Sequence, residues 1–183
     1  MTGNHILQII LNLMVVVILF VILYIFVDIT LEKYEEMQDE PCLYDPKVQE
    51  LKQIVEKWME SRLIPWTGHL ECLNHKKKET IKHLRMCKGS SSYTIDKEQV
   101  YLCVKDDNDE YYDYDMLMHV LLHELAHAIC DEIGHTKKFD DIFTDLMDEA
   151  HNPSCTGQKP IYDKKAPLDK NYCGTNASDS YSA

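Results

Sequence analysis

No Cys-x-x-Cys pair occurs among the seven cysteines of this 183-residue chain, so the spacing that marks a structural zinc knuckle is missing. Positive charge is scarce as well. Nineteen Lys and Arg stand against 31 Asp and Glu, a formal net charge of -12, and such a field repels phosphate; no nucleic-acid partner is expected. The one basic cluster, Lys76-Lys77-Lys78, reads as a solvated loop or helix face. Asp106-Asp107-Asn108-Asp109 lacks the glycine and the distal glutamate that a calcium loop needs, which leaves it as turn chemistry. The odd number of cysteines excludes complete internal pairing. A reduced chain of free thiols and an oxidised one with some bridges both remain open.

Two further absences concern the N-terminus. No Lys or Arg precedes the uncharged run Ile6 to Val27, and Phe26-Val27-Asp28-Ile29-Thr30 offers no small-x-small cleavage site. Both weigh against a cleaved signal peptide, the competing reading. As a helix the run would be about 33 Å long, enough for a hydrocarbon core of about 30 Å. Residues 1–30 are therefore expected to form a retained single-pass anchor, with residues 6–27 in a membrane whose sidedness the flanking charges leave open. Leu31 to Pro41 reads as an acidic tether, residues 42–175 as the folded domain, and residues 176–183 as a loose tail carrying the triplet Asn176-Ala177-Ser178.

The most informative stretch is Tyr114 to His135, which contains His-Glu-x-x-His at His123, Glu124 and His127. Residues four apart on a helix lie one above the other, so the two imidazoles can converge on one ion with Glu124 beside them. Leu117, Val120, Leu121, Leu125 and Ala128 recur at helical intervals and predict a core-facing stripe, with His123, His127 and Cys130 directed elsewhere. A catalytic zinc site wants three protein ligands and an open position. His135 ranks first as the third, because Gly134 can end the helix and turn the chain back. His119 and Cys130 are its rivals. Three histidines at i, i+4 and i+8 of a straight helix cannot share one ion, and a thiolate would make a more closed site.

Around this stretch the elements read as α+β. Asp45-Pro46 predicts an N-cap and first helical residue, with Val48, Leu51, Ile54, Val55, Trp58 and Met59 continuing the helix to about Arg62. Thr67 to Ser92 is poorly legible, with Gly89 to Ser92 a loop. Gln99 to Val104 predicts a strand, and Glu110 to Tyr112 a returning one. A strand immediately before the helix could offer an exposed edge to an extended peptide. Thr136 is expected to cap a last helix through Phe139, Ile142, Phe143, Leu146, Met147 and Ala150, ended by His151-Asn152-Pro153. Phe139 and Phe143 would brace the turn that presents His135. Tyr162, Tyr172 and His151 are unranked candidates for stabilising an oxyanion.

His123-Glu124-Leu125-Ala126-His127, with Gly134-His135 and Phe139 behind it, resembles the WLM and SprT-like metallopeptidases of the zincin class. The closer resemblance is to small membrane-anchored WLM-like proteins of giant DNA viruses. Those share the leading anchor, a strand like Val100-Tyr101-Leu102-Cys103, an acidic stretch before the helix, and a late Tyr172-Cys173-Gly174. The resemblance runs from the anchor to about Gly174 and implies a small zincin-like domain, an active-site helix plus a short sheet, in a virion or host membrane. It implies Zn2+ on His123, His127 and His135, Glu124 as general base, and a protein or peptide substrate. Seven residues separate His127 from His135 here, where cellular WLM members often have fewer. Those members act on proteins crosslinked to DNA, and the acidity and the anchor argue against extending that substrate to this chain. The alternative is a catalytically silent zinc-binding protein with a structural or interaction role in a viral membrane. The intact Glu124 favours the enzyme.

Overall fold

The computed structural model describes residues 3–38, 41–74, 81–163 and 172–174. Lys76-Lys77-Lys78 and the tail with Asn176 lie outside them. The chain divides into two units, residues 1–41 and 42–183.

In the first unit, helix α1 runs Gly3–Gln38. Its segment Leu11–Ile29, with mean hydropathy 2.8, is long and apolar enough to cross a membrane, and its side chains are exposed. The helix continues through most of the expected tether, because Leu31, Glu32, Lys33, Glu35, Glu36 and Met37 all favour helix and no glycine or proline intervenes before Pro41.

The second unit is α+β. Helix α2, Pro46–Glu60, starts as its sequence dictates: the Asp45 carboxylate accepts from the backbone N–H of Lys47 at 2.8 Å and of Val48 at 3.4 Å, and Pro46 follows. Val48, Leu51, Val55, Trp58 and Met59 are buried along one face. The helix stops two residues before Arg62, which leaves it to pair with Glu149 at 2.7 Å and to lie 3.9 Å above the Trp66 ring. Trp66 in turn meets Trp58 edge to face at 5.3 Å, so both tryptophans belong to the core.

After a 3-10 segment, Gly68–Asn74, come three strands: β1, Arg85–Lys88; β2, Tyr93–Ile95; β3, Gln99–Leu102. Their order in the sheet is β1-β3-β2, with β1 parallel and β2 antiparallel to β3. The strand read before the metal helix is thus the central one, paired on both sides, and the edge positions belong to β1 and β2. The returning strand at Glu110 to Tyr112 is reduced to one bridge, Lys105 to Tyr111. The Asp106 carboxylate draws in the N–H groups of Asn108 and Glu110, each at 2.9 Å, so the chain turns tightly and then leaves the sheet.

Helix α3, Tyr114–Ile129, packs on β2 and β3 on one side and on α4, Lys137–His151, on the other. It is therefore buried nearly all round rather than along one stripe, and even His119, His123 and Glu124 lie in the interior. Two disulfides fasten the periphery. Cys42–Cys87 ties the start of the domain to β1, and Cys103–Cys173 ties the chain after β3 to residues 172–174; Cys72, Cys130 and Cys155 belong to neither bridge.

Candidate metal centre

His123 and His127 occupy successive turns of α3. The helix ends at Ile129, earlier than the glycine that was expected to end it. Cys130 is already extended, with its N–H on the Ala126 carbonyl at 2.8 Å. The chain then loops back, and Gly134 sits inside that loop at φ +80, the left-handed conformation glycine takes freely. Thr136 caps α4 by accepting from the Phe139 N–H at 3.4 Å, which fixes His135 one residue before the cap.

The loop brings His135 Nε2 to 3.1 Å from His127 Nε2 and 3.1 Å from His123 Nε2. The three ligand atoms all lie within 4.8 Å of one another. Around a tetrahedral ion with bonds of about 2.1 Å, neighbouring ligand nitrogens stand about 3.4 Å apart. The observed spacing is close to that, so this triad could hold one divalent metal. Burial is the main cause that pushes the His123 pKa down to about 2 and the His127 pKa down to about 4, with neighbouring positive charge adding to it. Both are neutral imidazoles at physiological pH, the form that ligates.

Phe139 stacks on His127 at 4.2 Å and also lies 4.8 Å from His135 and 5.0 Å from His123. Phe143 contacts His123 and His119 instead of His135, at 5.2 and 5.4 Å. His119 stays outside the triad, its Nδ1 3.2 Å from the Tyr162 hydroxyl, and burial lowers its pKa to about 4. Cys130 is buried as the helix cap and is likewise no member of the triad.

Glu124 is 2% exposed. Burial raises its pKa to about 8, against the opposing pull of a hydrogen bond from Thr94. The Thr94 Oγ1 lies 2.8 Å from Glu124 Oε2 and 3.0 Å from the Glu124 carbonyl oxygen. Thr94 belongs to β2, and nothing in so short a strand signalled it. Lys97, from the turn between β2 and β3, was also missed; its Nζ donates to the carbonyl oxygens of Cys130 and Glu132. Of the candidates for an oxyanion donor, Tyr172 is committed elsewhere. Its hydroxyl donates to the Cys103 carbonyl and sits 2.7 Å from Ser92 Oγ. His151 Nδ1 is 3.3 Å from the Tyr162 carbonyl oxygen. A cavity of about 480 Å³ lined by Trp66, Asp145, Glu149 and His151 shares no residue with the triad.

Residues 94–180 match the WLM domain family. The chain is 43% identical over 111 residues to uncharacterized protein 136R of Invertebrate iridescent virus 6, covering 59% of this chain and 58% of that protein. It is 39% identical over 110 residues to uncharacterized protein 042R of Invertebrate iridescent virus 3, covering 60% and 64%. A shorter match, 39% over 59 residues, covers 31% of this chain and 30% of uncharacterized protein R325 of Acanthamoeba polyphaga mimivirus. The chain thus spans about three-fifths of the two iridescent-virus proteins. No solved structure matches it significantly.

Proposed function

With residues 94–180 carrying a WLM domain, we propose that the chain is a membrane-anchored, zinc-dependent peptidase, with His123, His127 and His135 as the metal ligands and Glu124 as the general base. The observation that carries this reading is the convergence of three imidazole nitrogens from two segments, with the buried Glu124 next to His123 in the sequence of the same helix. Three nitrogen ligands with a free fourth position are the ligand set of hydrolytic zinc, and a purely structural site has no use for a base. Residues 6–27 are proposed as the anchor, in a virion or host membrane; the apolar helical segment Leu11–Ile29 and the viral origin of the relatives support this reading.

Zinc bound there supplies a Lewis acid that polarises a peptide carbonyl and acidifies water. Glu124 accepts the proton of the attacking water and hands it to the leaving amine. Burial raises its pKa to about 8, and it serves as the base in its ionised form; Thr94 Oγ1 lies 2.8 Å from its Oε2 and orients it. No side-chain nucleophile is required. An extended peptide is the natural substrate form, lying along β2 and hydrogen-bonding main chain to main chain. Tyr162 and His151 remain the residues proposed for the oxyanion.

The test is cleavage of a peptide library by the zinc-loaded full chain in detergent, against Glu124→Gln. Cleavage by the wild type alone supports the peptidase. Equal zinc in both forms with no cleavage by either would replace it with the silent zinc-binding protein.

A further inference from the structure

Of the three triad histidines, His135 is the one on a loop. Residues 131–135 of that loop are exposed, so regular structure does not hold them. Three features flank it: the Thr136 cap, an ion pair of Asp131 with Lys138 at 2.6 Å, and the Lys97 ammonium on the carbonyls of Cys130 and Glu132. The first two lie within the loop and α4. Lys97 comes from elsewhere in the fold, across the end of the metal helix.

The backbone at Lys97 is informative. Asp96 and Lys97 have φ +51 and +61, and the Glu98 N–H closes the turn on the Ile95 carbonyl at 3.0 Å. Both central residues of such a hairpin turn need positive φ, and asparagine or glycine suits them best. A lysine there is a costly choice for the turn itself, and an outlier of this kind points to work done by the side chain. That side chain crosses to α3 and gathers two carbonyls, one at the helix cap and one in the loop, three residues before His135. The same hairpin carries Thr94, which holds Glu124.

We propose that Lys97 is a positioning residue of the metal centre: by pinning the Cys130 and Glu132 carbonyls it sets the loop that delivers His135, and so sets metal affinity. The inference rests on the metal centre proposed above, not on peptide hydrolysis. Its charge works in the opposite direction. A cation near His127 disfavours a second cation there, and Lys97 already lowers the basicity of His127. Removing the ammonium would tighten metal binding if charge were its only influence, and will weaken it if positioning dominates.

The experiment is a zinc titration of the metal-free full chain in detergent against a chromogenic chelator, with apo thermal melts as a folding control. Lys97→Met keeps the length and the backbone demand while removing the donor; the expected loss is about 10- to 100-fold in zinc affinity, the range for groups that orient a ligand from behind. Lys97→Arg, which can still donate to both carbonyls, restores most of it. In a His135→Ala background Lys97→Met has no further effect, since the ligand it serves is gone. Unchanged or tighter zinc binding by Lys97→Met overturns the inference, as does a loss that persists without His135. A wild type that binds no zinc overturns the metal centre and this inference with it. Zinc binding that follows the expected pattern without peptide cleavage leaves the inference standing and sinks the peptidase.

Discussion

Replacing Gly134 by alanine isolates what the returning loop contributes. Gly134 has φ +80, and a Cβ built there meets nothing within 4 Å, so the substitution adds no steric clash. What remains is the backbone cost of a left-handed L-residue, about 1–2 kcal/mol. Where that cost falls depends on whether the loop holds its shape without metal. Because residues 131–135 are exposed, the metal-free loop can relax and leave the apo stability almost unchanged. Binding then has to restore the left-handed turn, and zinc affinity drops by about 5- to 30-fold, the factor equivalent to 1–2 kcal/mol. Paired measurements on Gly134→Ala, denaturant unfolding of the apo form and a zinc titration, give the two parts of the sum. If neither changes, His135 reaches its position without the left-handed turn, and the account of how the third ligand is delivered is wrong.

Thr94→Val leaves zinc content intact and lowers turnover on the order of tenfold or more, since a hydrogen bond to a charged group is lost, while Thr94→Ser recovers it; a variant as active as wild type removes Thr94 from any part in orienting Glu124. In the presence of chelator, stability should fall on both sides of about pH 6.5. His119, His123 and His127 bind protons near 6.5 when unfolded but only near 4, 2 and 4 when folded, so the unfolded state gains protons and stability falls as pH drops below 6.5. Glu124 has the reverse sign: its folded pKa of about 8 against 4.5 means stability is lost as pH rises toward and through 8, and Glu124→Gln should flatten that limb alone. Cys103→Ser opens a bridge between residues 70 apart and costs about 4 kcal/mol on the chain-entropy account; unfolding midpoints equal to wild type under oxidising conditions would show the bridge absent.

The helical parts of this fold were legible because each carried redundant local signals. Asp45-Pro46 starts α2, Thr136 starts α4, and the apolar spacing of α4 is the spacing of its buried face. The triad was legible for the same reason: four-residue spacing puts two histidines on one face, and a glycine marks the return. The sheet was legible only in part. β3 was read from Gln99 onward, but β1 and β2, four and three residues long, are too short for alternation to register, and the order of the three strands depends on long-range pairing that leaves no local trace. Taking β3 as an edge followed directly from that, since nearness in sequence to α3 says nothing about which strand is central. Thr94 and Lys97 were invisible on the same ground. Their partners lie 30 and 33 residues away, and neither residue type announces a positioning role. The all-round burial of α3 was hidden because His119, His123 and Glu124 read as a polar face, while the sheet and α4 close over them.

The central claim is that His123, His127 and His135 together hold one metal ion. X-ray absorption at the zinc edge on the full chain, with zinc quantified per chain, tests it most directly. The account predicts one zinc with three imidazole nitrogens and an oxygen as neighbours, reduced to two imidazoles and weak binding in His135→Ala. Zinc with sulfur neighbours, or a His135→Ala chain that binds zinc as tightly as wild type, would contradict it.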